Sequence, residues 1–139
     1  MITFKAFIEN PGSDVLEDWY LAHPASKPKW VHLWARYYAM YLHLRQQPIG
    51  GWSPNYFHLF TGKEGIGRIG FDYKGVAYRH LGFFGPKGND FTIVFPAEER
   101  QWKYMPTGCI DSAVNRMKLA IADHSKVREA TIRTLPENV

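Results

Sequence analysis

Apolar residues at Ile2, Phe4, Ala6 and Ile8 alternate with Thr3, Lys5, Phe7 and Glu9, a period of two that predicts an opening strand. Asn10-Pro11-Gly12-Ser13 then breaks the pattern. Asp14, followed three residues later by Glu17, resembles a capping pair for a short helix running to about Ala22, and His23-Pro24 ends it. From Pro28 the period lengthens. Trp30, Leu33, Trp34, Tyr37, Tyr38, Tyr41 and Leu44 recur at three- and four-residue steps, which is the apolar stripe of a longer helix. Pro48-Ile49-Gly50-Gly51 stops it, and an aromatic loop follows with Trp52, Tyr56, Phe57, His58 and Phe60.

Alternation returns at Gly65. Ile69, Phe71 and Tyr73 fall on one face of the predicted strand, with Ile66, Arg68, Gly70 and Asp72 on the other. Tyr73-Lys74-Gly75 reads as a hairpin turn into a strand over 76–84. Gly85 to Asp90 forms a second turn, after which Phe91, Ile93 and Phe95 alternate as a third hairpin strand. Beyond Pro106-Thr107-Gly108, the residues Ile110, Ala113, Val114, Met117 and Ile121 describe a final amphipathic helix, with Asp111, Asn115, Arg116 and Lys118 on its far side. The order β-α-α-β-β-β-α predicts a compact α+β domain with an antiparallel sheet over residues 1–125. Residues 126–139, with Lys126, Arg128 and Arg133, are left as a basic tail without assigned structure.

A chain of 139 residues holds one domain. Its apolar fraction of 45% and aromatic fraction of 16% exclude a disordered chain. The net charge of +4 is uneven: Lys and Arg outnumber Asp and Glu six to five before residue 65, and eleven to eight after it. The more basic second half favours an anionic partner such as RNA or DNA. Cys109 is the only cysteine, which leaves no internal disulfide or thiolate zinc cluster and assigns it a structural place in the last helix. The six histidines show no metal-ligand spacing, His32 and His43 lying eleven apart, so no metal is expected. Met1-Ile2-Thr3-Phe4-Lys5 does not open a signal sequence, and the apolar runs are too short for a membrane span. A cytoplasmic protein that does not enter membranes is expected.

Residues 65–70 read GIGRIG, the spacing of a dinucleotide-binding loop. Such a loop follows a strand and opens a helix, because the pyrophosphate rests on the helix N-terminus. Here the glycines lead into a strand and a turn, so no cofactor is expected. A glycine-rich strand that packs closely accounts for the glycines, but not for Arg68 among them.

The stretch Gly67-Arg68-Ile69-Gly70-Phe71-Asp72-Tyr73-Lys74-Gly75-Val76-Ala77-Tyr78-Arg79, continuing to Phe83-Phe84-Gly85-Pro86, resembles the RelE/ParE toxin superfamily, and within it the HigB-like, phage-derived branch. Those toxins carry a leucine-arginine-phenylalanine strand, a glycine-bearing hairpin and a tyrosine-arginine strand leading to an aromatic pair. The resemblance implies a RelE-like domain and a toxin of a type II toxin–antitoxin pair. It implies an endoribonuclease that cuts mRNA on the ribosome, held in check by a cognate antitoxin with a helix-turn-helix domain. Other members of the superfamily poison DNA gyrase, so a non-nuclease toxin or phage-derived binding protein on the same fold is the alternative. Where the HigB-like branch commonly has a lysine pair, this chain has Glu98-Glu99-Arg100, acids that would repel a phosphate backbone.

RNA cleavage without metal calls for a base at the ribose 2′-hydroxyl, an acid at the leaving oxygen, and cations at the phosphate. Arg68 and Arg79, one on each arm of the hairpin, are the candidate phosphate binders, since a guanidinium forks onto phosphate oxygens. Tyr104, His80 and His58 are the candidate proton-transfer groups. Arg100 and Lys103, with Lys74 and Lys87 at the two turns, are the candidate contacts to the RNA backbone.

Overall fold

The computed structural model describes residues 1–48 and 50–132; Ile49 and Arg133 of the sequence reading lie outside the described residues. The opening strand β1 (Thr3–Phe7) leads into α1 (Val15–Ala22) and α2 (Pro28–Arg45). Strands β2 (Phe57–Leu59), β3 (Gly67–Tyr73), β4 (Val76–Phe84), β5 (Asp90–Arg100) and β6 (Lys103–Met105) follow, then α3 (Cys109–Ala122). A single 3₁₀ turn (His124–Lys126) and β7 (Val127–Glu129) complete the order. The class is mixed α+β, as expected.

The local signals act as the sequence indicates. Asp14 caps α1, its Oδ1 accepting from the Glu17 N–H at 2.8 Å. Pro28 sits in the first turn of α2, where its missing N–H removes no helical hydrogen bond. Leu33, Trp34, Tyr37 and Leu44 of the stripe are buried, together with Met40, which the stripe did not include. In α3 the buried set is Cys109, Ala113, Met117 and Ala120. Ile121, expected on that face, is 54% exposed. Arg116, expected on the far side, folds inward: it donates to the Val94 carbonyl at 2.8 Å and lies over the Phe95 ring.

The sheet runs β2-β3-β4-β5-β1-β7, with β6 added to β5. Most pairs are antiparallel, but β1 and β5 are parallel, which corrects the all-antiparallel expectation. The α1–α2 segment carries the chain across the sheet, so β1 enters beside the strand that comes fourth after it without a hairpin. The third hairpin strand, read as ending near Phe95, continues to Arg100 and turns back as β6. Three short strands, β2, β6 and β7, were absent from the sequence reading. The boundary at residue 125 moves accordingly: β7 pairs with the outer edge of β1, Val127 is buried, and Arg128 reaches Asp14 at 2.7 Å and Glu17 at 2.5 Å.

Antiparallel register partners point to the same face, and this sorts the side chains. Ile69 with His80, and Phe71 with Tyr78, face α1 and α2; Trp19 packs edge-on against both Tyr78 and His80. Arg68 with Leu81 and Phe95, Gly70 with Arg79 and Ala97, and Asp72 with Ala77 and Glu99 occupy the opposite face. There α3 covers Phe95 through Arg116. The predicted division of β3 into an Ile69/Phe71/Tyr73 face and an Arg68/Gly70/Asp72 face therefore matches the register.

Candidate functional site

Towards the β3–β4 and β5–β6 turns, polar residues replace the apolar cover on the α3 face. Register places His58 of β2 beside Arg68 of β3, and Tyr104 of β6 beside Glu99 of β5. The Arg79 guanidinium is tied down on three sides. It donates to Asp72 Oδ1 at 3.1 Å, to Glu99 Oε1 at 3.2 Å and to the Tyr78 carbonyl at 3.1 Å, and its side chain is only 12% exposed.

Gly70 explains how Arg79 can lie there. A Cβ at Gly70 would run into the Tyr78 carbonyl and stand 2.9 Å from Arg79 Cδ. The arginine stem crosses β3 over a position that has no side chain. A Cβ on Gly67 would likewise meet the His58 carbonyl at 2.6 Å and the Phe57 ring at 2.8 Å. Gly65 is a turn residue, with φ at +102°. Each glycine of GIGRIG thus has a place in the sheet or its turn, and none opens a helix.

Arg68 differs from Arg79. Among the described residues no carboxylate stands within salt-bridge distance of it, and its guanidinium interacts with the Tyr104 phenol. Burial holds the Tyr104 phenol above its ordinary pKa, a rise that Glu99 supports and that the Arg68 and Arg79 guanidinium groups partly offset. The phenol is therefore protonated at neutral pH and suited to donating a proton or a hydrogen bond. Tyr104 also packs edge-on against Phe60, with ring centroids 5.1 Å apart. Where β2 ends and leaves the edge of β3 open, a cleft of about 390 Å³ is lined by Arg36, His58, Arg68 and Arg79, together with Asn55 and Asp72. Arg36, from α2, was not among the sequence candidates; it falls outside the apolar stripe, and only the fold brings its guanidinium over the Phe71 ring.

Three of the candidates, Arg68, Arg79 and Tyr104, are thus brought together, with His58 beside them. His80 is not. It is 2% exposed on the other face, its Nδ1 hydrogen-bonded to the Tyr37 hydroxyl at 3.0 Å. Burial, with His23 adding to the effect, pushes its pKa down to about 3. It is a neutral core residue, and its assignment to proton transfer is corrected. The pattern misled because β4 continues tyrosine-arginine-histidine across both faces, so Arg79 and His80 point in opposite directions.

The backbone-contact candidates separate as well. Lys74 is exposed at the β3–β4 turn, at the same end of the sheet as Arg79. Lys87 lies past the far end of β4, roughly 16 Å or more from Arg79 at about 3.3 Å per residue, and does not join the site. Arg100 alternates to the α1–α2 side, where it pairs with Glu98 at 3.3 Å. Lys103 is exposed and stands opposite Arg100 in the β5–β6 pairing. Alternation also splits the two acids: Glu98 serves Arg100 and Glu99 serves Arg79.

Among the described residues, no three His, Cys, Asp or Glu side chains gather in a way that could hold a metal ion. Cys109 is buried at the start of α3, and its thiol pKa is raised by that burial. No helix among the described residues is long and apolar enough to cross a membrane. No protein-family model, curated protein or solved structure matches the chain.

Proposed function

We propose that the chain is a RelE/HigB-like toxin that cleaves mRNA on the ribosome, acting in the cytoplasm and controlled by a helix-turn-helix antitoxin. The observation that supports this reading is the meeting of Arg68, Arg79, Tyr104 and His58 on one open sheet face. They come from four strands and fit the roles that metal-free RNA cleavage requires.

In that reading His58 takes the proton from the ribose 2′-hydroxyl, since imidazole is the side chain that most often moves protons in enzymes. The 2′-oxygen attacks phosphorus, and the bond from phosphorus to the 5′-oxygen breaks. Tyr104, held protonated by its burial, gives its proton to the departing oxygen. The products are a 2′,3′-cyclic phosphate and a 5′-hydroxyl. Arg68, with no carboxylate partner among the described residues, forks onto the non-bridging oxygens as charge builds there. Arg79 is already neutralised by Asp72 and Glu99, so it orders the floor of the site and contributes less charge to the phosphate.

Incubation of the purified chain with ribosomes stalled on mRNA, followed by mapping of new 5′ ends, tests the proposal. Cuts within the reading frame bearing 5′-hydroxyl groups are expected. The neutralisation of Arg79 favours a second reading, a non-nuclease toxin such as a gyrase inhibitor on the same scaffold. Growth arrest on expression without any mRNA cleavage would select that reading.

A further inference from the structure

Beyond Arg79 the β5–β6 turn presents an unusual residue to solvent. Trp102 is 93% exposed, and it shares the turn with Gln101, both in the left-handed region at φ of +67° and +50°. Paired left-handed residues match the twist of a two-residue hairpin, a position that asparagine and glycine ordinarily fill. No packing among the described residues requires an indole there, because none of them covers its ring. It does border a cleft of about 340 Å³, whose other walls are Asp72, Ala77, Arg79, Glu99 and Gln101. Arg79 and Asp72 also line the cationic cleft around Arg68, so the two clefts adjoin.

The chemistry of this second cleft differs from that of a phosphate channel. Arg79 donates once to Oδ1 of Asp72 and once to Oε1 of Glu99, which leaves Oδ2 of Asp72 and a second lone pair on its Oδ1 for further donors. The Asp72 side chain is 74% exposed. An aromatic face beside hydrogen-bond acceptors is what a splayed single-stranded base requires: stacking for its ring and partners for its Watson–Crick edge. Guanine alone presents two adjacent donors, N1–H and N2–H, that one carboxylate can accept together.

We propose that the cleft between Trp102 and the Arg79–Glu99 pair is a base-binding subsite for single-stranded RNA. The base next to the bound phosphate stacks on Trp102, and Asp72 selects guanine through N1–H and N2–H. This rests on the nuclease reading and deepens it. Glu99, one of the two acids that would repel a phosphate backbone, and Asp72 then have a use, since they line the base cleft while Arg68 and Arg36 meet the phosphates.

The test uses fluorescence anisotropy with 2′-O-methyl RNA hexamers, which cannot be cleaved, of uridine alone or with one guanine. Wild-type protein should bind the guanine hexamer more tightly. Trp102→Asn tolerates the left-handed backbone but lacks a ring, and should weaken both hexamers about tenfold. Trp102→Phe should recover most of that loss. Asp72→Asn should remove the guanine preference while leaving the uridine hexamer within about twofold, a smaller change than loss of a stacked base produces. Unchanged binding by folded Trp102→Asn, in a protein whose wild type binds or cuts RNA, would overturn the subsite alone. Failure of the wild type to bind either hexamer at low salt would overturn both the subsite and the nuclease reading. Loss of toxicity in Trp102→Asn with RNA binding intact would assign the indole to a protein contact and overturn the subsite.

Discussion

Arg68 and Arg79 look equivalent in the sequence, yet their surroundings give them different work. Removing the one without a carboxylate partner among the described residues should cost more in cleavage: Arg68→Ala is expected to lower the rate by about 10²–10³, as loss of a transition-state donor does, with an unchanged thermal unfolding curve. Full activity in the folded variant would remove Arg68 from the mechanism. His80 supports a stability prediction instead. Its folded pKa of about 3 lies below the ordinary histidine value near 6.5, so the unfolded chain binds the proton first. The stabilisation is complete above about pH 6.5 and is lost as pH falls towards 3, with a slope approaching about 1.4 kcal/mol per pH unit. Urea titrations at about pH 7, 6 and 5 should show that slope in wild type and a flatter one in His80→Gln. Equal slopes would mean that His80 is accessible to protons in the folded state. Neither distinction was legible in the residue types, because each depends on what the opposite strand places alongside.

At the scale of elements, the long helices and the β3–β4 hairpin were readable because their hydrophobic periods extend over seven or more residues. Strands of three residues have no period to read, so β2, β6 and β7 appear only through their partners. Their effects are nevertheless large for the site, since β2 brings His58 to Arg68 and β6 brings Tyr104 to Glu99. Gly70→Ala tests the packing of the hairpin. The added Cβ meets backbone on β4 and the Arg79 stem, so a loss of roughly 1–3 kcal/mol is expected from overpacking, accompanied by impaired cleavage. A substitution without effect on the unfolding midpoint would show that β3 and β4 can separate at no cost. For β7, Arg128→Ala should lower the midpoint, because it removes the partner of the buried Asp14 carboxylate that also caps α1. A melt indistinguishable from wild type would mean that the chain beyond residue 125 contributes nothing to the domain.

For the whole molecule, charge sets the long-range behaviour. If about three cations around the cleft contact RNA phosphates, the log–log dependence of affinity on salt should have a slope of roughly −2, at about 0.7 per contact for a single strand. A slope near zero in titrations from low to moderate salt would favour the protein-directed reading. The sequence by itself determined the α+β class, the two helical stripes, the cap at Asp14 and the division of β3 into two faces, because each follows from periodicity or chemistry within a few neighbouring residues. It also determined that GIGRIG leads into a strand. Only the tertiary structure decided that β1 joins β5 in parallel, that His80 belongs to the core, that Glu98 and Glu99 serve different arginines, and that Gly70 makes room for Arg79. Those outcomes depend on strand register between residues far apart in the chain, and a shift of one residue would exchange every inward side chain for an outward one.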